Sequence, residues 1–314
     1  ASGKSSTPFH LHALTINSYI TGAYKLVNSG AQLTKTLRKV IRENGGQIVL
    51  RSKITTATLQ DQEIVAIEDE EGNTFQGQKF IAGIHPKQIF SIFGKEHFKK
   101  SFYNRVRQLP NSTSAFSLFL NLKEGIFPYM DYNYFHADGH PLEIHDQRDN
   151  FTSYYMLSTP IFSNQGQYAK AANIMTYMNA SVFEQFNEAH NTIADPGKRS
   201  SSYYDFKKTL EQELLDKVSE QFPLLKKATL RMESSTPLTF NDYLHSPKGS
   251  IYGIIKDAQK PLHSIIAPST HIKNLYLAGQ NLKLHGVVGV TMSSLLTLSE
   301  LVDGQTLIHE IKNA

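Results

Sequence analysis

The sequence predicts an α/β fold of the mixed α+β type, and three observations support this class. An amphipathic helix is predicted at residues 31–44, and strand-like segments follow it. A long amphipathic helix at 201–222 lies among further strand-like segments. Near the end, a short apolar strand at 274–278 leads through glycines into a helix. A chain of 314 residues is long enough for two domains, or one large one, with a sizeable core.

The first third of the chain predicts a helix, then strands and a β-meander. A turn at 28–30 precedes the helix, and Gly45 and Gly46 end it where a positive φ is favourable. Four strand-like segments follow, with a turn at Gly72. The apolar face of the helix consists of Leu33, Leu37, Val40 and Ile41. The four strand-like segments are 47–51, 54–59, 63–68 and 79–82.

The middle of the chain is less regular, and its end is regular again. The alternation of Phe116, Leu118 and Leu120 predicts a strand at 114–122. Residues 123–150 and 190–202 resemble polar connections. Further strands are predicted at 153–157, 173–179, 228–232 and 274–278, and the last leads through a loop with Gly286 and Gly289 into a helix that ends near residue 311.

Composition excludes several classes of function. With 32 Lys+Arg against 28 Asp+Glu, the net charge of +4 is too small to indicate a nucleic-acid partner. The absence of cysteine excludes a disulfide scaffold, a thiolate zinc site and cysteine catalysis, and it fits the cytoplasm. The uncharged stretch at 286–299 is shorter than the roughly 18 residues of a membrane span and predicts a buried helix.

The strand and glycines near residue 279 are the best candidate for chemistry. Glycines let a main chain approach a flat or charged ligand closely, and a helix N-terminus favours negative charge. This arrangement therefore suits a phosphate or a flavin. Glycines between a strand and a helix also serve in ordinary turns, so spacing alone leaves both interpretations open.

Several segments are similar in sequence to those of one family of enzymes. Asn-Leu-Tyr-Leu-Ala-Gly-Gln at 274–280, followed by Gly-Val-Val-Gly at 286–289, is similar to the C-terminal flavin motif of the phytoene-desaturase-like FAD oxidoreductases. Residues 22–33 and 54–86 resemble the same family. Three more segments are similar to those of one subgroup, which includes all-trans-retinol 13,14-reductase (retinol saturase) and carotenoid isomerase. They are Phe-His-Leu-His-Ala-Leu at 9–14 and the segments at 235–239 and 249–253.

The resemblance implies FAD as cofactor and a hydrophobic polyene or isoprenoid, such as a carotenoid or retinoid, as substrate. The flavin would carry the hydride, while the protein orients the polyene and excludes water. Tyr252 and His285 would lie near the flavin by their position, and no catalytic residue is identified. The implied cofactor contacts are Gly279, Gln280 and Asn281 on the ribityl–pyrophosphate part, Gly286, Gly289 and Val290 on the isoalloxazine ring, and Ile54 on the adenine side.

The resemblance also implies discontinuous domains. Residues 1–84 and 266–314 would form part of an FAD-binding domain, and 85–265 would form a substrate domain built on a mixed sheet with helices on one side. The aromatic residues of 98–183 could line a tunnel for a polyene or belong to an ordinary core.

The sequence departs from the family at three places. Asn281 stands where many members carry an acidic residue, and Asn28-Ser29 replaces a common pair of glycines, which puts close approach to the cofactor there in doubt. No Gly-x-Gly-x-x-Gly occurs in the 314 residues. We therefore expect a fragment without its nucleotide-binding opening, which binds FAD weakly, is inactive alone and could dimerise to cover exposed apolar faces.

Other constellations and other functions remain open. His136, Asp138, His140 and His145 predict a solvated loop and not a metal site. His10 and His12, on a segment expected to be extended, suit packing more than proton transfer. The alternative functions are a non-catalytic module that binds a hydrophobic ligand and an amine-oxidase-like flavoenzyme. Peripheral contact with a membrane also stays open, because such substrates reside in bilayers.

Overall fold

The computed structural model describes residues 7–139, 147–192 and 197–313. It confirms the α/β class with mixed α+β character, since helices accompany both antiparallel and parallel strand pairs. The helices are α1 (Phe9–Ile20), α2 (Ala31–Glu43), α3 (Ile89–Ile92), α4 (Lys100–Gln108), α5 (Ser201–Gln221), α6 (Pro223–Ala228), α7 (Pro237–Leu244), α8 (Gly286–Leu298) and α9 (Gly304–Asn313). The strands are β1 (Ile54–Gln60), β2 (Glu63–Asp69), β3 (Thr74–Gln76), β4 (Phe80–Ala82), β5 (Ser114–Leu122), β6 (Tyr134–Ala137), β7 (Tyr154–Ser158), β8 (Ala171–Met178), β9 (Thr229–Ser235) and β10 (Leu275–Leu277).

The chain divides into two units. The first consists of Ala1–His12, Leu50–Ser112 and Tyr252–Ala314, and the second of Ala13–Val49 and Thr113–Ile251. These boundaries differ from the predicted ones, since residues 13–49 lie with the second unit and 85–112 and 252–265 with the first. The assignment of the two parts to cofactor and substrate stays a prediction.

The first unit contains the meander β1–β2–β3 and the parallel pair β4–β10. Asn274, just before β10, connects the two sheets: its Oδ1 accepts from the Ile64 N–H at 2.8 Å, and its Nδ2 donates to Ile64 O at 2.9 Å. Ile64, Ile89, Phe90 and Leu277 belong to one buried cluster. This core holds the carboxyl end of β10 in place.

The second unit is built on a five-stranded sheet of order β6-β7-β8-β5-β9, in which the pairings are antiparallel. Alternate residues of β5 and β8 point into a core that Leu210, Leu214 and Val218 of α5 complete. Phe116, Leu118 and Ile174 are fully buried there. One face of the sheet is therefore packed against helices.

Several local predictions are confirmed. Strand β5 spans the residues that alternation predicts, and α2 and α5 agree with their predicted bounds to within a residue. Asn28 and Ser29 both adopt positive φ, at 61° and 71°, so the turn forms without the paired glycines. The Asn28 N–H donates to Ile161 O at 2.8 Å and helps to fix that conformation.

Other predictions are wrong. Residues 47–51 do not form a strand, because no strand of the described residues pairs with them. The predicted C-terminal helix is two helices, α8 and α9, separated at 299–303. His10 and His12 lie in the helix α1 and not in an extended segment. The sequence reasoning also missed β6, α4 and α7, which have only four, nine and eight residues.

Candidate functional site

A glycine turn lies at the edge where the two parallel strands of the first unit end. β4 and β10 pair in parallel with Phe80 opposite Leu275, so their carboxyl ends meet at one edge. The Ala278 N–H donates to Ala82 O at 3.1 Å, and the turn at 279–281 follows directly. Ligands of open α/β sheets bind outside the carboxyl ends of the strands. The turn therefore lies where a cofactor is expected.

Gly279 leaves its main chain open to a ligand. Its φ of 101° is a conformation that residues with a side chain rarely adopt. A Cβ placed on Gly279 would meet no atom within 4 Å, so the space beside it is free. Gln280 follows and is half-buried. The contact of Gly279 and Gln280 with the ribityl–pyrophosphate part of FAD stays a prediction.

Asn281 points into the protein. Its side chain is buried, and its Oδ1 accepts from the Ile254 N–H at 2.9 Å. Gly253 makes this possible, because a Cβ on Gly253 would lie 2.2 Å from the Asn281 Oδ1. The Oδ1 atom therefore has a partner within the protein, and a contact of Asn281 with a cofactor stays a prediction.

Helix α8 begins earlier than the sequence predicts. Gly286 and Gly289 belong to its first turn and not to a preceding loop, and His285 is the N-cap residue without a side-chain cap bond. A Cβ on Gly289 would lie 2.7 Å from the carbonyl carbon of Leu284, so this close approach requires glycine. Val290 is exposed. The uncapped N–H groups at this helix start favour a negatively charged or electron-rich ligand.

Tyr252 and His285 form a ring pair next to the start of α8. Their ring centroids are 4.6 Å apart, with an angle of 37° between the planes. Partial burial lowers the pKa of His285, and the positive charge of Lys256 lowers it further. Both effects favour the neutral form of the ring. The sequence placed both residues near the flavin by position, and the structure brings them together.

Two cations lie behind the turn, and the sequence reasoning missed both. Lys256 Nζ donates to Asn281 O and Ser264 O at 2.8 Å and to Leu282 O at 3.1 Å. Arg105 Nη1 donates to two further carbonyls, those of His263 and Ile265, at 2.8 Å. Burial lowers the pKa of Lys256 to about 8, with a smaller contribution from the charge of Arg105. Neither cation has an ion-pair partner among the described residues.

His85 lies just beyond the carboxyl end of β4. It is buried, its Nε2 lies 3.1 Å from the Asn111 Oδ1, and its Nδ1 accepts from the Lys87 N–H at 3.2 Å. Nε2 therefore carries the proton of the neutral ring. Burial lowers the pKa of His85 to about 4. The position of His85 shortly after the end of a parallel strand was the signal that could have identified it.

Ile54 lies apart from these residues in the contacts that the structure shows. It pairs with Asp69 at the start of β1. The bonds that join the meander to the β10 segment come from its other end, from Ile64 and from Gln62 O, which accepts from the Lys273 N–H at 2.9 Å. A role of Ile54 at the adenine side stays a prediction.

One face of the sheet of the second unit, which we call the open face, carries large apolar side chains among polar ones such as Asn173 and Glu233, which lie opposite Phe119. It carries Phe119, Phe135, Met156 and Met175, on the side of the sheet away from the Phe116 and Leu118 core. Phe135 pairs with Met156, which pairs with Met175, so the three lie in one cross-strand row. Phe119 and Phe135 are 46% and 47% exposed. Met156 and Met175 are flexible and polarisable, and together with Phe119 and Phe135 they offer apolar contacts to a hydrophobic ligand.

The cluster of His136, Asp138, His140 and His145 is described only in part. His136 Nε2 lies 3.0 Å from Asp138 Oδ1, while His140 and His145 lie outside the described residues. In the described ranges, no group of three or more His, Asp or Glu side chains could hold a metal. Within the same ranges, none of the helices is long and apolar enough to cross a bilayer.

Comparisons with known proteins agree with the family resemblance. The chain is 24% identical over 315 residues to the all-trans-retinol 13,14-reductase of Danio rerio. The match covers 91% of this chain and 51% of that protein. The Rattus norvegicus reductase is 24% identical over 95% of this chain and 52% of its own length. The Homo sapiens reductase is 31% identical over 143 residues, 44% of this chain. No family model matches the chain.

A solved structure shares the fold. The crystal structure of an oxidoreductase from Methanosarcina mazei aligns with a TM-score of 0.51 at 10% identity, over 88% of this chain and 54% of that one. The resemblance to the retinol-saturase-like group is confirmed by the curated relatives. The chain spans about half the length of the curated relatives from Danio rerio and Rattus norvegicus that it matches.

Proposed function

We propose that this chain is part of an FAD-dependent oxidoreductase that acts on the C=C bonds of a hydrophobic polyene, such as a retinoid or carotenoid. One observation carries the proposal: the open turn at Gly279 leads into the uncapped start of α8. This segment belongs to a chain that is similar to the Danio rerio reductase over 91% of its length. A glycine turn and a helix N-terminus together suit a flavin.

The residues of the first unit fit such a cofactor. Bound FAD would supply hydride transfer to or from the polyene. Gly279 and Gln280 would contact its ribityl–pyrophosphate part, and Gly286 and Val290 would lie against the ring. Gly289 would act by letting α8 pack closely on Leu284, since it is buried there. The N–H groups at the start of α8 would stabilise negative charge on the ligand.

The second unit fits the substrate. The open face presents Phe119, Phe135, Met156 and Met175, and Tyr154 stacks on Tyr177 with centroids 5.2 Å apart. These side chains would bury a polyene and exclude water from it. Burial of apolar surface contributes roughly 25 cal/mol per Å².

We also propose that the 314-residue chain by itself binds FAD weakly and is inactive. The observation in support is the absence of a Gly-x-Gly-x-x-Gly motif, which commonly holds the ADP pyrophosphate. We expect saturable but weak binding, and a colourless protein after purification. A yellow protein with stoichiometric FAD would contradict this part of the proposal.

The flavin site is tested by a titration of FAD into the chain and into Gly279→Val. Valine would strain the left-handed main chain and fill the open space, so we expect affinity to fall on the order of tenfold or more. Gly166→Ala is the matched control, because a Cβ on Gly166 would meet no atom within 4 Å and the residue lies in the second unit. Equal affinities of the wild type and Gly279→Val would remove the turn from the site.

The substrate class is tested with the complete protein. Depletion of retinol or a carotenoid, but not of amines, is expected. Turnover of amines would favour an amine-oxidase-like flavoenzyme instead. Retinoid binding without any flavin binding would favour a non-catalytic module for a hydrophobic ligand, an alternative for which the open face is also suited.

The partners predicted from the sequence are proposals too. Val287 and Val288 of α8 are 65% and 71% exposed, and a second copy of the chain could cover apolar surface of this kind. Sedimentation as a compact monomer would refute a homodimer. Failure to float with liposomes would refute peripheral membrane contact.

A further inference from the structure

Lys256 uses its entire hydrogen-bonding capacity on main-chain carbonyls. Its ammonium has three N–H donors, and the Nζ atom contacts three oxygens: Ser264 O, Asn281 O and Leu282 O, at 2.8, 2.8 and 3.1 Å. The side chain is half-buried. Two of the three carbonyls lie at the end of the glycine turn that leads to α8.

The other hydrogen bonds near the end of the turn come from neutral main-chain N–H groups. The Ile254 N–H donates to the Asn281 side chain at 2.9 Å, and the Ile266 N–H donates to Leu282 O at 3.4 Å. Of the described contacts to the Asn281 and Leu282 carbonyls, those of Lys256 come from a charged donor. Charged donors form stronger hydrogen bonds than neutral ones.

We infer that Lys256 is a positioning residue that fixes the end of the glycine turn and so holds the main chain at 279–281 in the form that the cofactor requires. This inference rests on the proposed flavin site. Lys256 acts through the turn, since its donors already contact the three carbonyls.

The electrostatic surroundings make this arrangement sensitive to pH. The positive charge of Arg105 acts on Lys256, the charge of Lys256 acts in turn on His285, and neither neighbour is an acid. Because burial lowers the pKa of Lys256 to about 8, the amine loses a proton in mildly alkaline solution. A neutral amine has two donors and one lone pair, so one of the three carbonyls then loses its partner.

The experiment compares Lys256→Met and Lys256→Arg with the wild type and with Lys260→Met. Lys260 is exposed, so its replacement makes the same change of charge four residues away. Amide hydrogen exchange of residues 279–284 is measured without flavin at pH 7, with the amides of β5 and β8 as a reference. FAD affinity is measured in parallel by titration.

We expect exchange at 279–284 to be about tenfold faster in Lys256→Met, unchanged in Lys260→Met and partly restored in Lys256→Arg. FAD affinity should fall by about the same factor. In the wild type, exchange at 279–284, corrected for the intrinsic effect of pH, should rise between pH 7 and 9, and this rise should be absent in Lys256→Met.

Two results would overturn the inference: unchanged exchange at 279–284 in Lys256→Met, or equal acceleration throughout both units, which would show general destabilisation. Faster local exchange with unchanged FAD affinity would overturn it as well. If the turn loosens as expected but the wild type binds no FAD at all, the proposed function fails, while the local action of Lys256 on the turn stands.

Discussion

Gly253 allows the buried Asn281 to occupy its place, and Gly253→Ala tests this packing. The new Cβ would lie 2.2 Å from the Asn281 Oδ1, and the φ of 68° is unfavourable for alanine. The left-handed conformation costs about 1 kcal/mol. Displacement of Asn281 leaves the Ile254 N–H without its 2.9 Å partner, which costs about 2 kcal/mol more. We expect a loss of about 3 kcal/mol in the stability of the first unit.

A double-mutant cycle separates the two contributions. Asn281→Ala alone should cost about 2 kcal/mol, because it also leaves the Ile254 N–H unpaired. In that background the atom that clashes is gone, so Gly253→Ala should cost only about 1 kcal/mol more. The expected coupling is therefore about 2 kcal/mol.

The chain has no tryptophan, so stability is measured by urea unfolding with circular dichroism. Amide exchange at β4 and β10 assigns the transition to the first unit. Gly166→Ala in the second unit is the control, with an expected change below about 0.5 kcal/mol. Additive costs in the cycle would refute the reasoning, because they would show that Gly253 and Asn281 do not interact.

The burial of neutral His85 should make the free energy of unfolding fall in mild acid. The folded pKa of His85, about 4, lies below its unfolded value. Its contribution to the free energy of unfolding is therefore complete above about pH 6.5 and is lost as the pH falls towards 4. Urea unfolding at pH 7 and pH 5 should show a smaller loss in His85→Gln than in the wild type, and equal losses would contradict this. The buried pair of Arg199 Nη2 and Asp242 Oδ2, 2.6 Å apart, should matter far more than an exposed pair. Arg199→Met should cost about 3–5 kcal/mol, whereas Arg231→Met, which breaks the exposed pair with Glu233, should cost below about 1 kcal/mol. Similar decreases in melting temperature in Arg199→Met and Arg231→Met would refute the expectation that the buried pair contributes more to stability than the exposed one.

Patterns within one segment were predictable. The alternation of Phe116, Leu118 and Leu120 identifies β5 because its inward residues face one core. The same kind of evidence fails at 47–51, since an apolar run becomes a strand only when a neighbour pairs with it. The start of α8 was misplaced because glycines at 286 and 289 suggest a loop, whereas Gly289 permits a close contact inside the helix.

The candidate site was predictable only in part. The turn at Gly279 follows a recognisable strand, so its position could be predicted from the residues around it. The roles of Lys256 and Gly253 could not, because Lys256 acts on main-chain oxygens and Gly253 makes room for the Asn281 side chain, in residues about 25 positions away. Bonds to carbonyl oxygens leave no pattern in the side chains, so no periodicity indicates them.

The connection between Asn274 and Ile64 has a consequence for how the protein acquires its structure. The two residues are separated by 210 positions. During synthesis, β4 must wait for β10, and Thr113–Ile251 of the second unit is made in the interval. Closing so long a loop is slow, and the waiting strand exposes unpaired main-chain groups to other chains. Chaperone dependence and aggregation of nascent chains should therefore centre on the first unit, because its parallel pair β4–β10 is completed late.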